Sequence, residues 1–217
     1  MLLWAPVGNP KIFSAHDDGT LSIWAAAGDA DNVAPATPTA GAGAANGNAP
    51  STSAASTTSN PDGSAIRAAK LMKTMKPHEK AIISMNTHKN YILTASSDMT
   101  VKAINAGSPA LPTVFHCKAN RPLRAVAAWD FPEDRCFGFV YGGGRDPKDV
   151  TTSYLLPDEF DFYQSYVGEQ TSTIMTRNGA AGPLHRLIWR QEISKVFAAS
   201  EDGEVKMWCA ETLTQMR

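Results

Sequence analysis

The sequence predicts an all-β protein assembled from a repeated strand unit, and two observations carry that prediction. One hairpin pattern occurs three times along the chain: KIFSAHDDGTLSIWAA (11–26), YILTASSDMTVKAINA (91–106) and KVFAASEDGEVKMWCA (195–210). In each, a β-prone apolar run leads into a tight turn with an aspartate at a fixed place, Asp18, Asp98 or Asp202. The second observation is the strand that follows. It alternates apolar and polar residues and sets a bulky side chain, Trp24, Ile104 or Trp208, six positions beyond the aspartate. Period-two alternation bounded by Asp/Gly turns is the pattern of a β-hairpin, and its recurrence is the pattern of a repeat architecture.

Bulk composition narrows the classes of function. The 217 residues carry a formal charge of −1 and are 43% hydrophobic, enough for a sizeable core. No stretch concentrates Lys and Arg, so the electrostatic footprint of a duplex-binding surface is missing. The three cysteines, Cys117, Cys136 and Cys209, are scattered singly, which fits neither a disulfide framework nor a zinc site. No apolar run approaches the roughly 18–20 residues needed to span a bilayer. The N-terminal MLLWAPVGNPK lacks the basic and apolar regions of a signal peptide. These features predict a soluble, cytoplasmic protein.

Taken in order, the elements group into four units over residues 1–76, 77–118, 119–166 and 183–217. The first opens on a strand through Leu2, Leu3 and Trp4 and continues through the first hairpin. Residues 25–65 are almost entirely Ala, Gly, Ser, Thr, Pro and Asn, a composition that cannot bury enough surface to offset its ordering entropy. They are expected to be a disordered insertion within the first unit. The segment IRAAKLMKTMK (66–76) could form an amphipathic helix by itself, but its place before the second unit favours a strand from Lys70 to Met75.

The second unit carries the second hairpin and closes on TVFHC (113–117). In the third, LRAVAAW and RCFGFVYG read as the first two strands, DVTTSYLL as the third and EFDFYQSY as the outer one, with 167–182 as a long connection. The fourth takes LHRLIW, KVFAAS and EVKMWC as strands, leaving ETLTQMR for the last strand or for an exit. Gly142, Gly143 and Gly144 end the second strand of the third unit. A phosphate-binding loop would need a Lys-Ser/Thr pair opening a helix, whereas a strand is expected here. Glycine at that place instead suits close backbone approach and a positive φ in a displaced turn.

The repeated hairpins resemble the blades of WD40 β-propellers, four antiparallel strands each. In that family the turn aspartate shares a buried network with a His preceding the first strand, a Ser or Thr, and the Trp. The resemblance assigns Asp18 and Trp24 to this role in the first unit, His78, Ser96 and Asp98 in the second, and Asp202 and Trp208 in the fourth. Ile104 replaces the aromatic member in the second, and Ala180 stands where the fourth would have its His. These residues are expected to hold the scaffold together rather than to catalyse.

A narrower resemblance follows from GGGRDPKDVTTS (142–153), an aromatic-rich strand, GPL (182–184) and EDGEVKMW (201–208), which lie in that order. Together they resemble the family of subunit i of eukaryotic translation initiation factor 3, collinearly from residue 1 to about residue 210. The distinctive element comprises Gly142, Gly143, Gly144, Asp149, Val150, Thr151 and Thr152. The resemblance implies a seven-bladed propeller of which this chain supplies about the last four blades. The others would come from an upstream part of the gene or from a partner.

It also implies a non-catalytic scaffold, without cofactor or metal, that docks a C-terminal tail of subunit b and a segment of subunit g and reaches the small ribosomal subunit indirectly. The tail would lie against regions near 80–106 and 123–156, where His88 and Asn105 stand in places that are acidic in relatives. A WD40 adaptor unrelated to translation is the alternative.

Two further classes find less support. Asp158, Glu159 and Asp161 lie in a turn, and His16 beside Asp17 and Asp18 ends a strand, so no nucleophile–base constellation emerges. Arg121, Arg124, Arg145 and Lys148 could gather for RNA, yet near-neutral charge limits nonspecific affinity, and no sequence-specific nucleic-acid binding is expected.

Overall fold

The computed structural model describes residues 2–5, 11–25, 69–130, 137–145, 162–167, 172–177, 182–209 and 215–216. Sixteen strands within them form four antiparallel sheets of four strands each. The first sheet is β1 (Leu2–Ala5), β2 (Lys11–Ala15), β3 (Leu21–Ala25) and β4 (Lys70–Met75), in that spatial order. Strand β4 pairs beside β3 with Leu21 opposite Met75, so everything between Ala25 and Lys70 is an insertion joining two neighbouring strands. The low-complexity segment from residue 26 onward lies outside the described residues.

The second sheet is β5 (Ile82–His88), β6 (Tyr91–Ser96), β7 (Thr100–Asn105) and β8 (Thr113–Lys118). The fourth is β13 (Leu184–Arg190), β14 (Lys195–Ser200), β15 (Val205–Cys209) and the short β16 (Gln215–Met216), with one 3-10 turn at Gln191–Ile193. Each sheet is a meander, so hairpin turns join every pair of neighbours whose link is described.

The third sheet, β9 (Leu123–Asp130), β10 (Phe137–Gly143), β11 (Phe162–Val167) and β12 (Ser172–Arg177), differs from the sequence expectation. The strand paired with β10 is Phe162–Val167, which the sequence suggested as the outer one, running from Phe137 opposite Val167 to Gly142 opposite Phe162. The outer strand is Ser172–Arg177, within the stretch expected to be a connection, so this sheet runs past residue 166. Burial accounts for the shift. Phe162 is 0% exposed and Tyr163 stacks on Tyr141 with ring centroids 5.3 Å apart. In the interior position one face of the strand buries Phe162 against the fourth sheet, and the other packs Tyr163 against the cluster shared by the second and third sheets. Asp149, Val150, Thr151 and Thr152, expected to open a strand, lie outside the described residues.

The sheets pack face to face in chain order, with the first strand of each against the sheet before it. Phe13, Ala15, Leu21 and Ile23 meet Met85, Ile92 and Ile104 of the second sheet. Leu93, Ala95, Val101 and Ala103 meet Phe137, Phe139 and Tyr141 of the third. Val140, Phe162 and Trp129 meet Leu187, Val196 and Trp208 of the fourth. This is a part of a β-propeller: strands alternate their side chains between two neighbouring sheets, and an apolar cluster fills each interface. Among the described residues no helix is long and apolar enough to cross a membrane.

Candidate interaction surface

One end of the sheets carries the aspartate turns, and the physics of that end starts from a tight turn's unsatisfied donors. At Asp18, Oδ1 accepts the Thr20 backbone N–H at 2.9 Å and the Thr20 hydroxyl at 2.6 Å. Asp98 repeats this with Thr100 at 2.8 and 2.5 Å. Asp202 accepts the Glu204 backbone N–H at 2.9 Å and the Ser200 hydroxyl. The sequence repeat is thus a repeat of one turn geometry, in which a carboxylate caps donors two residues on.

Around Asp98 the turn grows into a buried network. His78, with its side chain sealed from solvent, places Nδ1 3.1 Å from Asp98 Oδ2 and 2.8 Å from Thr100 Oγ1. Its Nε2 lies 2.7 Å from Thr94 Oγ1. Burial drives the His78 pKa below its ordinary value and outweighs the pull of Asp98, so the ring is neutral. With Nδ1–H facing the carboxylate, Nε2 is left to accept the Thr94 hydroxyl proton. For Asp98 burial acts upward, but the Thr100 hydroxyl, the Glu79 and Thr100 backbone N–H groups and His78 outweigh it and hold the carboxyl at about 2.

The hydroxyl member is therefore Thr94, four residues before the aspartate, and not Ser96. Ser96 donates to Lys80 O at 3.1 Å and accepts the Asp98 backbone N–H at 3.1 Å, fastening the turn itself. Strand alternation explains the difference. Thr94 shares the face of Ile92 and Ile104, which packs on the first sheet and holds the His78 ring. A signal for Thr94 was present in the sequence, because Ser14 stands at the same distance before Asp18.

The other copies hold fragments of this network. In the first sheet the Trp24 indole N–H donates to Ser14 Oγ at 3.0 Å, and His16 Nε2 lies 3.1 Å from the same oxygen. In the fourth, the corresponding position is Ala198. Trp208 is 4% exposed, and its indole N–H has no hydrogen-bond partner among the described residues. Ala180 lies outside them.

Successive sheets are coupled through the same turns. The His78 backbone N–H donates to Gly19 O at 3.3 Å and that of Ile82 to His16 O at 3.3 Å. Gly19 has φ +84°, and a Cβ there would stand 2.1 Å from His78 O. The Ala119 N–H, after the second sheet, reaches Met99 O at 2.7 Å, whereas in the fourth sheet the Glu201 N–H ties the turn to its own sheet's entry at Pro183 O, 2.9 Å away. In the third sheet the glycine triplet fills this role. A Cβ on Gly142 would meet Leu184 at 2.7 Å, one on Gly143 would meet Pro122 O at 2.0 Å, and Gly144 has φ +134°. The Gly144 N–H then bonds Pro122 O at 3.1 Å. The triplet lets the turn lie against both the entry to its own sheet and the next sheet.

Two features face outward. A groove of about 520 Å³ runs between β5, β9 and β13, lined by Arg124, Arg186 and Arg190 with Ile83, Ile188 and Trp189. Arg124 also donates to Arg145 O at 3.5 Å, so those two of the four cations considered for RNA adjoin, while Arg124 belongs to the groove; Lys148 lies outside the described residues. At the opposite end of the sheets, His88 packs on Phe137 with ring centroids 5.0 Å apart, and Asn105 Oδ1 accepts the Gly107 N–H at 2.9 Å. Among the described residues no group of three His, Cys, Asp or Glu is placed to hold a metal ion.

Comparison with known proteins agrees with this architecture. Residues 69–105 match the family described as WD40: WD domain, G-beta repeat, the stretch that contains the His78–Asp98 network. A Bombyx mori protein named eukaryotic translation initiation factor 3 subunit I is 26% identical over 146 residues, covering 65% of this chain and 42% of its own length. Proteins of that name from Drosophila yakuba and Drosophila melanogaster are each 22% identical over 210 residues, covering 95% of this chain and 50% and 49% of theirs. The chain spans about half the length of the curated relatives it matches. The chain thus carries a match to a WD40 repeat over residues 69–105 and is similar, along nearly all of its length, to proteins named subunit I of eukaryotic translation initiation factor 3.

Proposed function

We propose that the chain is a non-catalytic scaffold of eukaryotic translation initiation factor 3. In this reading it docks a C-terminal tail of subunit b and a segment of subunit g in the cytoplasm, and so supports assembly on the small ribosomal subunit without contacting it directly. The observation that carries the reading is the collinear similarity to subunit I over 95% of the chain. The fold supports it. Stacked sheets tied by repeated turns make a rigid body whose loops can display docking groups. The arginine-lined groove between β5, β9 and β13 supplies a positive surface suited to an acidic peptide.

The test is affinity purification of the tagged chain from a cytoplasmic extract at moderate salt, followed by mass spectrometry. Recovery of subunits b and g above a tag-only control is the expected result. Recovery of unrelated proteins without any initiation factor 3 subunit would assign the chain to a different WD40 adaptor role.

A further inference from the structure

At the end of the sheets opposite the aspartate turns, one short loop is held from two sides. Residues 106–112 join β7 to β8, and their backbone is pinned first to its own sheet. The Ala106 N–H donates to Asn90 O at 2.6 Å, the Asn105 N–H to Pro112 O at 2.9 Å and the Leu111 N–H to Ser108 O at 3.0 Å. The last bond closes a tight turn whose second residue is Pro109, the place where proline's fixed φ is best suited. Gly107, Pro109 and Ala110 stand exposed at the tip.

The second hold comes from the first sheet. Lys11, which opens β2, donates from Nζ to Ala106 O at 3.3 Å. Lys73, in β4, donates from Nζ to Pro109 O at 3.2 Å and to Ala110 O at 3.3 Å. The two ammonium groups bracket Ser108, each bonded to a carbonyl within two residues of it. Neither lysine has a carboxylate partner among the described residues. Ser108 accepts the Leu111 N–H with its carbonyl, while its hydroxyl makes no hydrogen bond among the described residues. The chain around it supplies no negative charge either. Residues 99–129 contain no Asp or Glu but carry Lys102, Lys118, Arg121 and Arg124. An anion on this loop would meet two cations of the neighbouring sheet and nothing of its own sign in its own stretch of chain.

We propose that Ser108 is a phosphorylation site for a protein kinase that requires proline after the acceptor serine, and that its phosphate locks the first and second sheets together. Ser108 Oγ attacks the terminal phosphorus of a nucleoside triphosphate. A bond from Oγ to phosphorus forms, the bond from phosphorus to the bridging oxygen breaks, the nucleoside diphosphate leaves and the hydroxyl proton passes to the kinase's base. The product carries about −1.5 to −2 charges near pH 7 and three strong acceptor oxygens. Two ammonium groups that now bond only neutral carbonyls gain a partner of opposite charge, the arrangement through which a phosphate orders a loop or docks one element on another. Both cations belong to the sheet before the loop, so the modification tightens the contact between two sheets without changing the pairing within either. It is independent of which partners the chain docks.

Two measurements test the proposal. In the first, the purified chain is incubated with adenosine triphosphate and a cytoplasmic extract, and its phosphopeptides are mapped by mass spectrometry. Phosphate on Ser108 that disappears in Pro109→Ala is the expected result. A Ser108 left unmodified overturns the assignment, and one still modified in Pro109→Ala overturns the proline requirement. In the second, phosphoserine is encoded in place of Ser108 and its phosphorus resonance is followed from pH 4 to 8. Two nearby ammonium groups favour the dianion, so the second ionisation should fall below the usual value of about 6. It should return there in the Lys11→Gln, Lys73→Gln double variant. The midpoint of thermal unfolding should rise with phosphoserine in the otherwise unchanged chain and stay level in the double variant. A resonance that titrates at about 6 with both lysines present overturns the lock, because the phosphate then stands in water.

Discussion

His78 sets its Nδ1 3.1 Å from Asp98 Oδ2 while its backbone N–H reaches Gly19 O at 3.3 Å. One residue thus fastens the turn of its own sheet with its side chain and the turn of the preceding sheet with its backbone. The carboxylate also accepts the Glu79 N–H at 3.0 Å, so its removal strands several donors at once. Asp98→Ala is expected to destabilise the chain by about 3 kcal/mol, the upper end for a buried group left unpaired. Chemical denaturation of the purified variant measures it. An unchanged midpoint would remove Asp98 from its structural role.

Trp208 presents the reverse case, a buried N–H without an acceptor among the described residues where Trp24 has Ser14. Ala198 occupies the place of Ser14 and is 1% exposed. Ala198→Ser should give the indole a hydroxyl partner and stabilise the chain by about 1 kcal/mol. A raised denaturation midpoint supports the register argument. A lowered one would mean that the added oxygen is crowded rather than bonded.

Acid should weaken the fold in two steps. Burial depresses the His78 pKa, so the unfolded chain binds the proton more readily than the folded one. The stability this contributes is complete above the ordinary histidine value of about 6.5 and is lost as pH falls below it. Asp98, held at about 2, contributes stability that is present above the ordinary value of 3.8 and lost as pH falls from there toward 2. Thermal unfolding between pH 7.5 and 5 should show a falling Tm in the wild type and a flatter profile in His78→Gln. Parallel profiles would assign the acid sensitivity to other groups.

Two glycines separate sterics from backbone preference. Gly143→Ala would force a Cβ to 2.0 Å from Pro122 O, backbone against backbone, and is expected to cost about 3 kcal/mol or more. At Gly203, φ is +81° but nothing lies within 4 Å of an added Cβ. Gly203→Ala should therefore cost only the left-handed backbone term of about 1–2 kcal/mol. Equal losses in urea titrations of the two variants would contradict the close approach at Pro122.

Much of the fold could be read from the chain alone, for a definite reason. Hairpin turns and strand alternation are local, so the Asp18, Asp98 and Asp202 turns and even the strand Lys70–Met75, across a long insertion, are written in neighbouring residues. His78 could be placed beside Asp98 because the resemblance to WD40 blades assigns a histidine ahead of the first strand to that turn. The third sheet could not be read that way. There Gly142–Gly144 takes the end of the second strand, and two stretches competed for the place beside β10. Burial of Phe162 against the fourth sheet decided between them. The choice of Thr94 over Ser96 likewise depended on which strand face meets the preceding sheet.

By itself, then, the sequence determined the repeating hairpin, the turn carboxylates and the all-β class, because each follows from local spacing and turn chemistry. Only the tertiary structure decided which hydroxyl meets His78 and which strand stands beside β10. Those outcomes depend on which apolar surfaces are brought together between sheets, and residues far apart in the chain settle that jointly.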